Sequence, residues 1–147
     1  MASAALLGNG PALVNGDLVF DGGALRWLDG LPNLVQALQL RVLTPFGNDI
    51  FNTNYGLDAR QIFTQPGTVR LIKELIKLSL VSTLGSEPRV RDIRELLFED
   101  DPGYLDRHPE LDAQSVAVDR RRRLWKLDVV IDTVDGQTQA LPVNVGV

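Results

Sequence analysis

The chain has 147 residues, of which 44% are hydrophobic and 23% charged, a balance typical of one globular domain. It has no cysteine and one histidine, which excludes disulfides and thiolate metal sites and argues against zinc. Its net charge of −4 argues against general nucleic-acid binding, because that affinity comes mainly from Lys and Arg on phosphates. The apolar runs are too short for a bilayer, and the start lacks the basic stretch of a signal peptide. We therefore expect a protein partner, no membrane and no cofactor.

The first part of the chain predicts an arm followed by a short strand or hairpin over residues 12–21. Residues 1–11 are small and mostly apolar, so we expect a flexible N-terminal arm ahead of a single domain at residues 12–147. Within residues 12–21, the dipeptide Asn15-Gly16 favours the tight turn of a short hairpin. No internal repeat stands out in the sequence.

Two helices and a long loop follow. Apolar residues recur at helical spacing over residues 31–43, and a Thr-Pro dipeptide ends that helix because a residue before proline avoids the helical conformation. Residues 44–67 are rich in Gly, Pro, Asn and aromatics and predict a long structured loop with one short helix around 59–63. Residues 68–84 predict a second main helix, with an apolar stripe opposite a charged face. Its expected cap residues are Thr68 and Gly85.

The rest of the chain predicts strands. Four segments have a strand-like pattern, namely residues 90–99, 114–119, 124–134 and 139–147. The Asp135-Gly136 dipeptide favours a hairpin turn between the last two. Pro142 has no N–H to donate, so the last strand is expected to lie at a sheet edge or to contain a break. This order of elements predicts an α+β fold, with two main helices packed on a small, mainly antiparallel sheet and an edge hairpin at the C-terminus.

The titratable residues give weak support for catalysis. A Ser-His-Asp triad would need His108, which stands in an acidic, Pro-flanked stretch and is expected to be a solvent-exposed loop histidine. A glycosidase needs two carboxylates flanking a cleft, but the acids crowd into residues 99–113 and are expected to form a solvated loop. The sequence has no Walker loop, EF-hand or strand-linked dinucleotide motif. We therefore expect neither enzyme activity nor a bound metal.

Two charged motifs remain. The basic cluster consists of Arg120, Arg121, Arg122 and Arg123. It is expected to form a hairpin turn with solvated arginines, or else a patch that docks an acidic partner or a phosphate. The other motif is the triplet Glu87-Pro88-Arg89, between the second helix and the strand after it. Its charged pair can either contact a partner or brace the corner with a local salt bridge, and the residues leave both alternatives open.

Three segments, in this order and spacing, resemble one known family. They are Leu43-Thr44-Pro45-Phe46-Gly47 after the first helix, Asn54-Tyr55-Gly56-Leu57 in the loop, and Ser86-Glu87-Pro88-Arg89-Val90 after the second helix. Over residues 12–147 the chain resembles the baseplate wedge, or sheath-initiator, family of contractile injection machines. Such machines include contractile-tailed phages, R-type pyocins, extracellular contractile injection systems and type VI secretion. The acidic connection at 99–113 is longer than we expect of the simplest members.

The resemblance implies a structural, non-enzymatic component of the baseplate. It implies contacts with wedge proteins, a place around the tail tube, and strands onto which the terminal arms of the sheath protein add. Six copies per particle are expected from the sixfold symmetry of such machines. The protein would be made in the bacterial cytoplasm and end in the virion tail baseplate, or in the assembled injection particle. In the family the Glu-Pro-Arg triplet serves baseplate contacts, so Glu87, Pro88 and Arg89 are carried over as interface residues.

The pattern at the C-terminus agrees with this resemblance. An exposed sheet edge is a template for strand addition by another chain, so residues 139–147, or the strand beside them, are the predicted site for the sheath arms. The expected contact residues are Gln139, Ala140, Leu141, Val143 and Val145. Two other functions stay open. One is a lysozyme-like peptidoglycan hydrolase, which needs a carboxylate of raised pKa among Glu87, Glu95 and Glu99. The other is a small adaptor unrelated to contractile tails.

Overall fold

The computed structural model of the chain describes residues 2–64, 66–111 and 124–146, and it has the predicted α+β fold. The helices are Ala2–Leu7 (α1), Leu31–Leu43 (α2), Ala59–Thr64 (α3), Val69–Gly85 (α4) and Pro102–Arg107 (α5). Six short strands come first, Asn9–Pro11 (β1), Leu13–Val14 (β2), Asp17–Leu18 (β3), Phe20–Asp21 (β4), Ala24–Leu25 (β5) and Trp27–Asp29 (β6). The long strands are Val90–Phe98 (β7), Leu124–Thr133 (β8) and Thr138–Gly146 (β9). They form one antiparallel sheet in the order β7-β8-β9, against which α2 and α4 pack.

The first main helix, α2, begins and ends where the sequence predicts. Gly30 precedes it with a positive φ of 64°, a conformation that glycine adopts without strain. The proline of the first turn lacks an N–H that would have no partner there. On the buried side of the helix, Leu34, Leu38 and Val42 belong to the core.

The second main helix, α4, has the predicted N-cap but a different C-terminus. Thr68 Oγ1 accepts a hydrogen bond from Leu71 N at 3.3 Å. Gly85 is the last helical residue rather than a left-handed residue beyond the helix, so its predicted role as a cap is wrong. The reason lies in Ser86, which keeps a right-handed conformation and donates its hydroxyl to Thr83 O at 2.7 Å.

The central strand, β8, is buried on both faces. One face carries four large apolar side chains of the core, Trp125, Leu127, Val129 and Ile131. Because side chains alternate along a strand, the opposite face carries the buried acids Asp128 and Asp132. Asp132 accepts hydrogen bonds from Arg94 Nε and from Thr138 Oγ1, both at 2.6 Å. The three predicted strands that fall on described residues are confirmed to within one residue at each end; the predicted strand at 114–119 lies outside those residues.

Residues 9–29 form three two-stranded ribbons around a ring of three hydrogen bonds. β1 pairs with β6, β2 with β3 and β4 with β5, all antiparallel. At their junction Ala12 N donates to Arg26 O, Arg26 N to Val19 O and Val19 N to Ala12 O, at 2.9, 2.9 and 3.2 Å. These residues are seven positions apart, and so are three glycines of positive φ, Gly16, Gly23 and Gly30. The first predicted hairpin is confirmed, but as one unit of a seven-residue repeat that the sequence analysis does not find.

Residues 2–11 are part of the folded unit, which differs from the expected flexible arm. The side chain of Leu7 is fully buried in the core. Its carbonyl oxygen accepts hydrogen bonds from Asn33 Nδ2 at 3.2 Å and from Arg89 Nη1 at 3.1 Å. Gly10 passes so close to Asn33 that a Cβ would lie 2.8 Å from its Oδ1. The buried leucine side chain and a carbonyl that accepts two hydrogen bonds therefore hold this segment in place.

The long loop between α2 and α4 is closed at its base. Phe46 N donates to Leu57 O at 3.1 Å, and Leu57 N donates to Thr44 O at 2.9 Å. Gly56, with φ of 106°, runs so near that a Cβ would lie 2.4 Å from Thr44 O, which excludes any side chain. We call residues 45–57 the base-closed loop. The short helix predicted after it is confirmed as α3.

Candidate functional site

The Glu-Pro-Arg triplet lies at the corner between α4 and β7, and its acid is buried. Glu87 is 7% exposed. Its Oε1 accepts hydrogen bonds from Arg89 Nε at 2.7 Å and from Arg89 N at 3.3 Å. Its Oε2 accepts one from Arg41 Nη2 at 3.3 Å. Two guanidinium groups thus pair with one buried carboxylate, which is the condition under which a buried charge is tolerated.

The two arginines extend this ion pair into a network, the corner network, formed by Arg41, Tyr55, Glu87 and Arg89. The Arg41 guanidinium lies over the Tyr55 ring, 4.5 Å from its centroid. Arg41 Nη1 also donates to the Ser86 hydroxyl at 2.9 Å, at the end of α4. Arg89 reaches the carbonyl that ends α1. The corner network therefore ties together α1, α2, α4, the start of β7 and the base-closed loop.

The corner network favours the ionised form of Glu87. Burial raises the pKa of this carboxyl, but the hydrogen bonds and charge of Arg89, together with the charge of Arg41, outweigh burial and hold the pKa below its ordinary value. The general acid of a glycosidase needs the opposite shift. Of the other two carboxylates considered for a hydrolase, Glu95 is exposed and Glu99 is buried at the end of β7. The electrostatics of Glu87 do not suit proton donation to a sugar oxygen.

The outer surface of the triplet consists of Pro88 and part of Arg89. Pro88 is exposed, and 27% of the Arg89 side chain is exposed. Of the two alternatives for the triplet, the brace is present within the chain, because Glu87 holds both arginines. A contact with a partner stays a prediction, and it falls on the exposed atoms of these two residues.

Among the strands of the described residues, the last one, β9, is an edge of the sheet, as predicted from its proline. Where the hairpin closes, Thr133 N donates to Gln137 O at 2.8 Å. Hydrogen-bonded and non-hydrogen-bonded pairs alternate in an antiparallel ladder. The Asp128–Pro142 pair is therefore of the second kind, and the Pro142 nitrogen faces away from β8. By the same alternation, five residues of β9 direct their backbone groups outward, away from β8. They are Thr138, Ala140, Pro142, Asn144 and Gly146.

The five predicted contact residues of β9 have unlike surroundings. Three are buried core side chains, namely Leu141, Val143 and Val145. Their side chains face the helices, and their contact with a partner stays a prediction. Gln139 and Ala140 are half-buried, and Ala140 has outward backbone groups. Asn144, which the sequence analysis leaves out, is exposed and has an outward N–H.

The opposite edge, β7, is poorly suited to strand addition. Its pairing with β8 is interrupted twice, between Val90 and Asp92 and between Ile93 and Glu95. Such bulges twist an edge and break the regular row of backbone groups. Charged side chains also line this strand, another device that blocks pairing with a second chain. As far as the described strands go, the sheet thus has one regular edge, β9, and one protected edge, β7.

His108 is half-buried and paired, so the expectation of a solvent-exposed loop histidine is wrong. Its Nε2 lies 2.9 Å from Asp128 Oδ2, and its Nδ1 lies 3.3 Å from Glu110 Oε1. The ring packs against Tyr104, with 4.3 Å between ring centroids. The hydrogen bond with Asp128, followed by that with Glu110, raises the pKa of His108. With carboxylates at both ring nitrogens, the histidine holds α5 against the sheet rather than activating a serine.

Sequence reasoning missed Arg41 and Tyr55. Arg41 stands in the last turn of α2, where a cation suits the helix dipole, but nothing local indicates a partner 46 positions away. Tyr55 belongs to one of the three segments that carry the family resemblance, which gives no sign of the arginine above its ring. Both residues are found by their contacts alone.

The remaining expectations concern the arginine cluster, metal binding and membrane spans. The cluster Arg120, Arg121, Arg122 and Arg123 falls outside the described residues. Across the described ranges, no group of three or more His, Asp or Glu side chains is placed to hold a metal ion. No helix in the part of the chain that the structure describes has the length and apolarity to cross a bilayer. Compared with the models of known protein families and with curated proteins, the chain has no match.

Proposed function

We propose that this protein is a structural, non-enzymatic component of the baseplate of a contractile tail or injection machine. In this proposal it attaches to wedge proteins around the tail tube and initiates sheath assembly by strand addition, with six copies in each particle. The starting point is the resemblance of the three segments described above. Two surfaces of the molecule support it, the open edge of β9 and the corner between α4 and β7.

The observation that carries the proposal is the open edge of β9, which pairs with no described strand other than β8. This strand is nine residues long and pairs with β8 without a register shift. Its outer side offers the N–H groups of Thr138, Ala140, Asn144 and Gly146, with one gap at Pro142. A sheath arm that added there would gain a row of main-chain hydrogen bonds. The single proline limits pairing with unintended strands.

The wedge contact is assigned to the corner between α4 and β7. The corner network holds Arg89 from behind through Glu87, so the exposed atoms of Pro88 and Arg89 have a fixed direction. A surface that is already ordered loses less conformational entropy when it binds. Glu87 would then act as a positioning residue that does not itself touch the wedge protein.

A proline substitution on the open edge tests the strand-addition mechanism in the full chain. Asn144 is exposed and its N–H faces away from β8, so Asn144→Pro removes one outward donor and leaves the β8–β9 ladder intact. Asn144→Ala keeps the N–H and is the matched control. Each variant is mixed with the purified sheath protein of the same contractile system, and electron microscopy shows whether sheath rings form.

We expect the wild type and Asn144→Ala to seed sheath rings and Asn144→Pro to fail. If all three seed equally, strand addition at β9 is wrong. If the wild type neither binds nor seeds sheath, the baseplate proposal itself fails and an adaptor unrelated to contractile tails is favoured. Deleting residues 137–147 is not a usable test, because it removes the three core side chains of β9.

A further inference from the structure

The ribbon formed by β1 and β6 has one face against α2 and one face turned away from it. Gly10 and Leu28 lie opposite each other in this ribbon. A Cβ on Gly10 would lie 2.8 Å from Oδ1 of Asn33 on α2, so this pair faces the helix. Because side chains alternate along a strand, the next pair, Pro11 and Trp27, faces away from α2.

The seven-residue repeat continues this outward face through the other two ribbons. Leu13 lies opposite Leu18 in the ribbon of β2 and β3, and Phe20 lies opposite Leu25 in that of β4 and β5. These pairs adjoin the ring of hydrogen bonds, and residues two apart in extended chain share a face, so the same face runs from ribbon to ribbon. We call this surface the outer ribbon face. Its side chains are all apolar, namely Pro11, Leu13, Leu18, Phe20, Leu25 and Trp27.

Three large side chains of the outer ribbon face are more than half exposed. Leu18 is 51% exposed, Phe20 62% and Trp27 57%, whereas the other tryptophan of the chain, Trp125, is buried. At these fractions the three side chains leave roughly 350 Å² of apolar surface in water. Contiguous apolar patches of this size on soluble proteins mark interaction sites. The outer ribbon face therefore has the size and composition of a docking surface.

The charge around the outer ribbon face is acidic. Residues 2–40 carry three acids and one base, namely Asp17, Asp21, Asp29 and Arg26. Arg26 Nε lies 3.8 Å from Asp21 Oδ2, so the one base is already paired. The Asp29 side chain has no hydrogen bond or ion pair with any described residue. It lies on the same face of β6 as Trp27, two residues further on and thus about 7 Å along the strand.

We propose that the outer ribbon face docks a segment of a partner protein in which large apolar side chains stand beside Lys or Arg. The apolar side chains would pack on Phe20 and Trp27. The spacing of Trp27 and Asp29 suits a basic side chain, whose aliphatic stem can lie along the indole while its charged end pairs with the carboxylate. This docking goes beyond the proposed function and does not depend on it.

Area and charge argue against two other occupants. Each partner in a stable protein complex typically buries about 800 Å², more than twice the apolar area exposed here, so the face is too small to hold a second copy of the domain. A second copy would also bring the same acids to the contact. Anionic lipid is disfavoured because Asp17 and Asp29 would repel its headgroups.

Selection of displayed random dodecapeptides on the full chain tests this docking. The enriched peptides are synthesised, and fluorescence anisotropy gives their dissociation constants with the wild type and with each variant. Phe20→Ser and Trp27→Ser remove the apolar anchors, and Phe51→Ser is the matched control, because Phe51 is 95% exposed on the base-closed loop. Asp29→Lys reverses the charge beside Trp27, and Asp106→Lys, at an exposed carboxylate on α5, is its control. Thermal melts confirm that each variant is folded.

We expect the enriched peptides to combine large apolar residues with Lys or Arg. Phe20→Ser, Trp27→Ser and Asp29→Lys should each raise the dissociation constant about 10-fold or more, and the two controls should leave it unchanged. A copy of the best peptide with Glu in place of its basic residues should bind Asp29→Lys more tightly than it binds the wild type. That rescue would show a direct charge contact, which a general loss of structure cannot produce.

The docking proposal is overturned if no peptide is enriched, or if the enriched peptides bind Phe20→Ser and Trp27→Ser as tightly as the wild type. Equal losses in Phe51→Ser or Asp106→Lys, or the absence of charge rescue, also overturn it. Binding of the wild type to phosphatidylcholine vesicles that Trp27→Ser abolishes, without peptide binding, would assign the face to a lipid surface instead. A concentration-dependent dimer that Trp27→Ser dissociates would assign it to a second copy.

Discussion

Glu87 illustrates how one buried side chain can stabilise a whole corner of this molecule. Its carboxylate lies between Arg41 and Arg89, and the Arg41 side chain is itself 11% exposed. Removing the acid would leave two positive groups close together with little water to compensate. The loss of one partner from a buried ion pair is far more costly than its net contribution suggests, because the remaining charge stays desolvated.

We expect Glu87→Gln to lower the free energy of unfolding by about 1–3 kcal/mol at neutral pH, because glutamine keeps the shape but not the charge. The pKa of the folded carboxyl is lowered, so its stabilisation is present above the ordinary value of 4.5 and is lost as the pH falls through the folded pKa. Urea unfolding at neutral pH and at several values below 4.5 measures the difference from wild type. That difference should shrink in acid, and a constant difference would contradict the prediction. Glu95→Gln, at an exposed carboxylate, is the control.

His108 makes a pH effect measurable at one site, because it is the sole histidine. Its pKa is raised above 6.5 by Asp128 and then Glu110, so the stabilisation from the charged pair is complete below 6.5 and is lost as the pH rises through the folded pKa. We expect His108→Gln to lower the melting temperature more at about pH 6 than at about pH 9. An NMR titration of the imidazole should have its midpoint above 6.5. A midpoint at or below that value would refute the assigned pairing.

At the scale of elements, we expect the proline of the edge strand β9 to limit its pairing with unintended strands. Pro142 is exposed, and its nitrogen faces outward, where any other residue would add a donor to the open edge. We expect Pro142→Thr to keep the fold and to increase self-association, measured by light scattering as a function of concentration. Asn144→Thr adds the same side chain without adding a donor and serves as the control. Equal scattering by the two variants would show that the missing donor does not matter.

The long elements could be predicted from local pattern, and the short ones could not. α2 and α4 combine an apolar stripe with a terminal proline or threonine, and both signals act within a few residues. The ribbon strands β2 to β5 have two residues each, too few to show alternation. β1 pairs with β6, from which the chain separates it by two complete hairpins. Their common seven-residue spacing is recognised only through the ring of hydrogen bonds among Ala12, Val19 and Arg26, which the sequence does not display.

In the candidate sites too, the features that depend on local sequence could be predicted and those that depend on long-range contacts could not. The open edge of β9 was predictable because Pro142 and the alternation are local features. The residues of β9 whose backbone groups point outward could not be predicted. They depend on which of the alternating pairs between β8 and β9 are hydrogen-bonded. The corner network joins Arg41 to Glu87 across 46 positions, and the pair of His108 with Asp128 spans 20. Contacts between residues so far apart in the sequence arise from tertiary packing, so no local sequence pattern predicts them.

At the scale of the whole molecule, the N-terminal segment acts as part of the core. Leu7 is fully buried, and its carbonyl joins α2 to the corner network through Asn33 and Arg89. We expect Leu7→Ala to lower the free energy of unfolding by about 2–5 kcal/mol, the cost of a cavity in a packed core. Leu6→Ala is a matched control, because Leu6 is 54% exposed and should cost less than about 0.5 kcal/mol. Chemical unfolding of both variants measures the difference, and equal losses would mean that the segment is not docked.

The two unequal edges of the sheet give the molecule a direction. A strand that joins β9 becomes the new boundary of the sheet and can itself be extended, whereas the bulged and charged β7 stays closed. If strands add to this chain as proposed, the assembly grows from one side of it only. Under the proposed function, such a molecule would start a lattice rather than be inserted into the middle of one. In that proposal, the first strand that joins β9 fixes the direction in which the assembly grows.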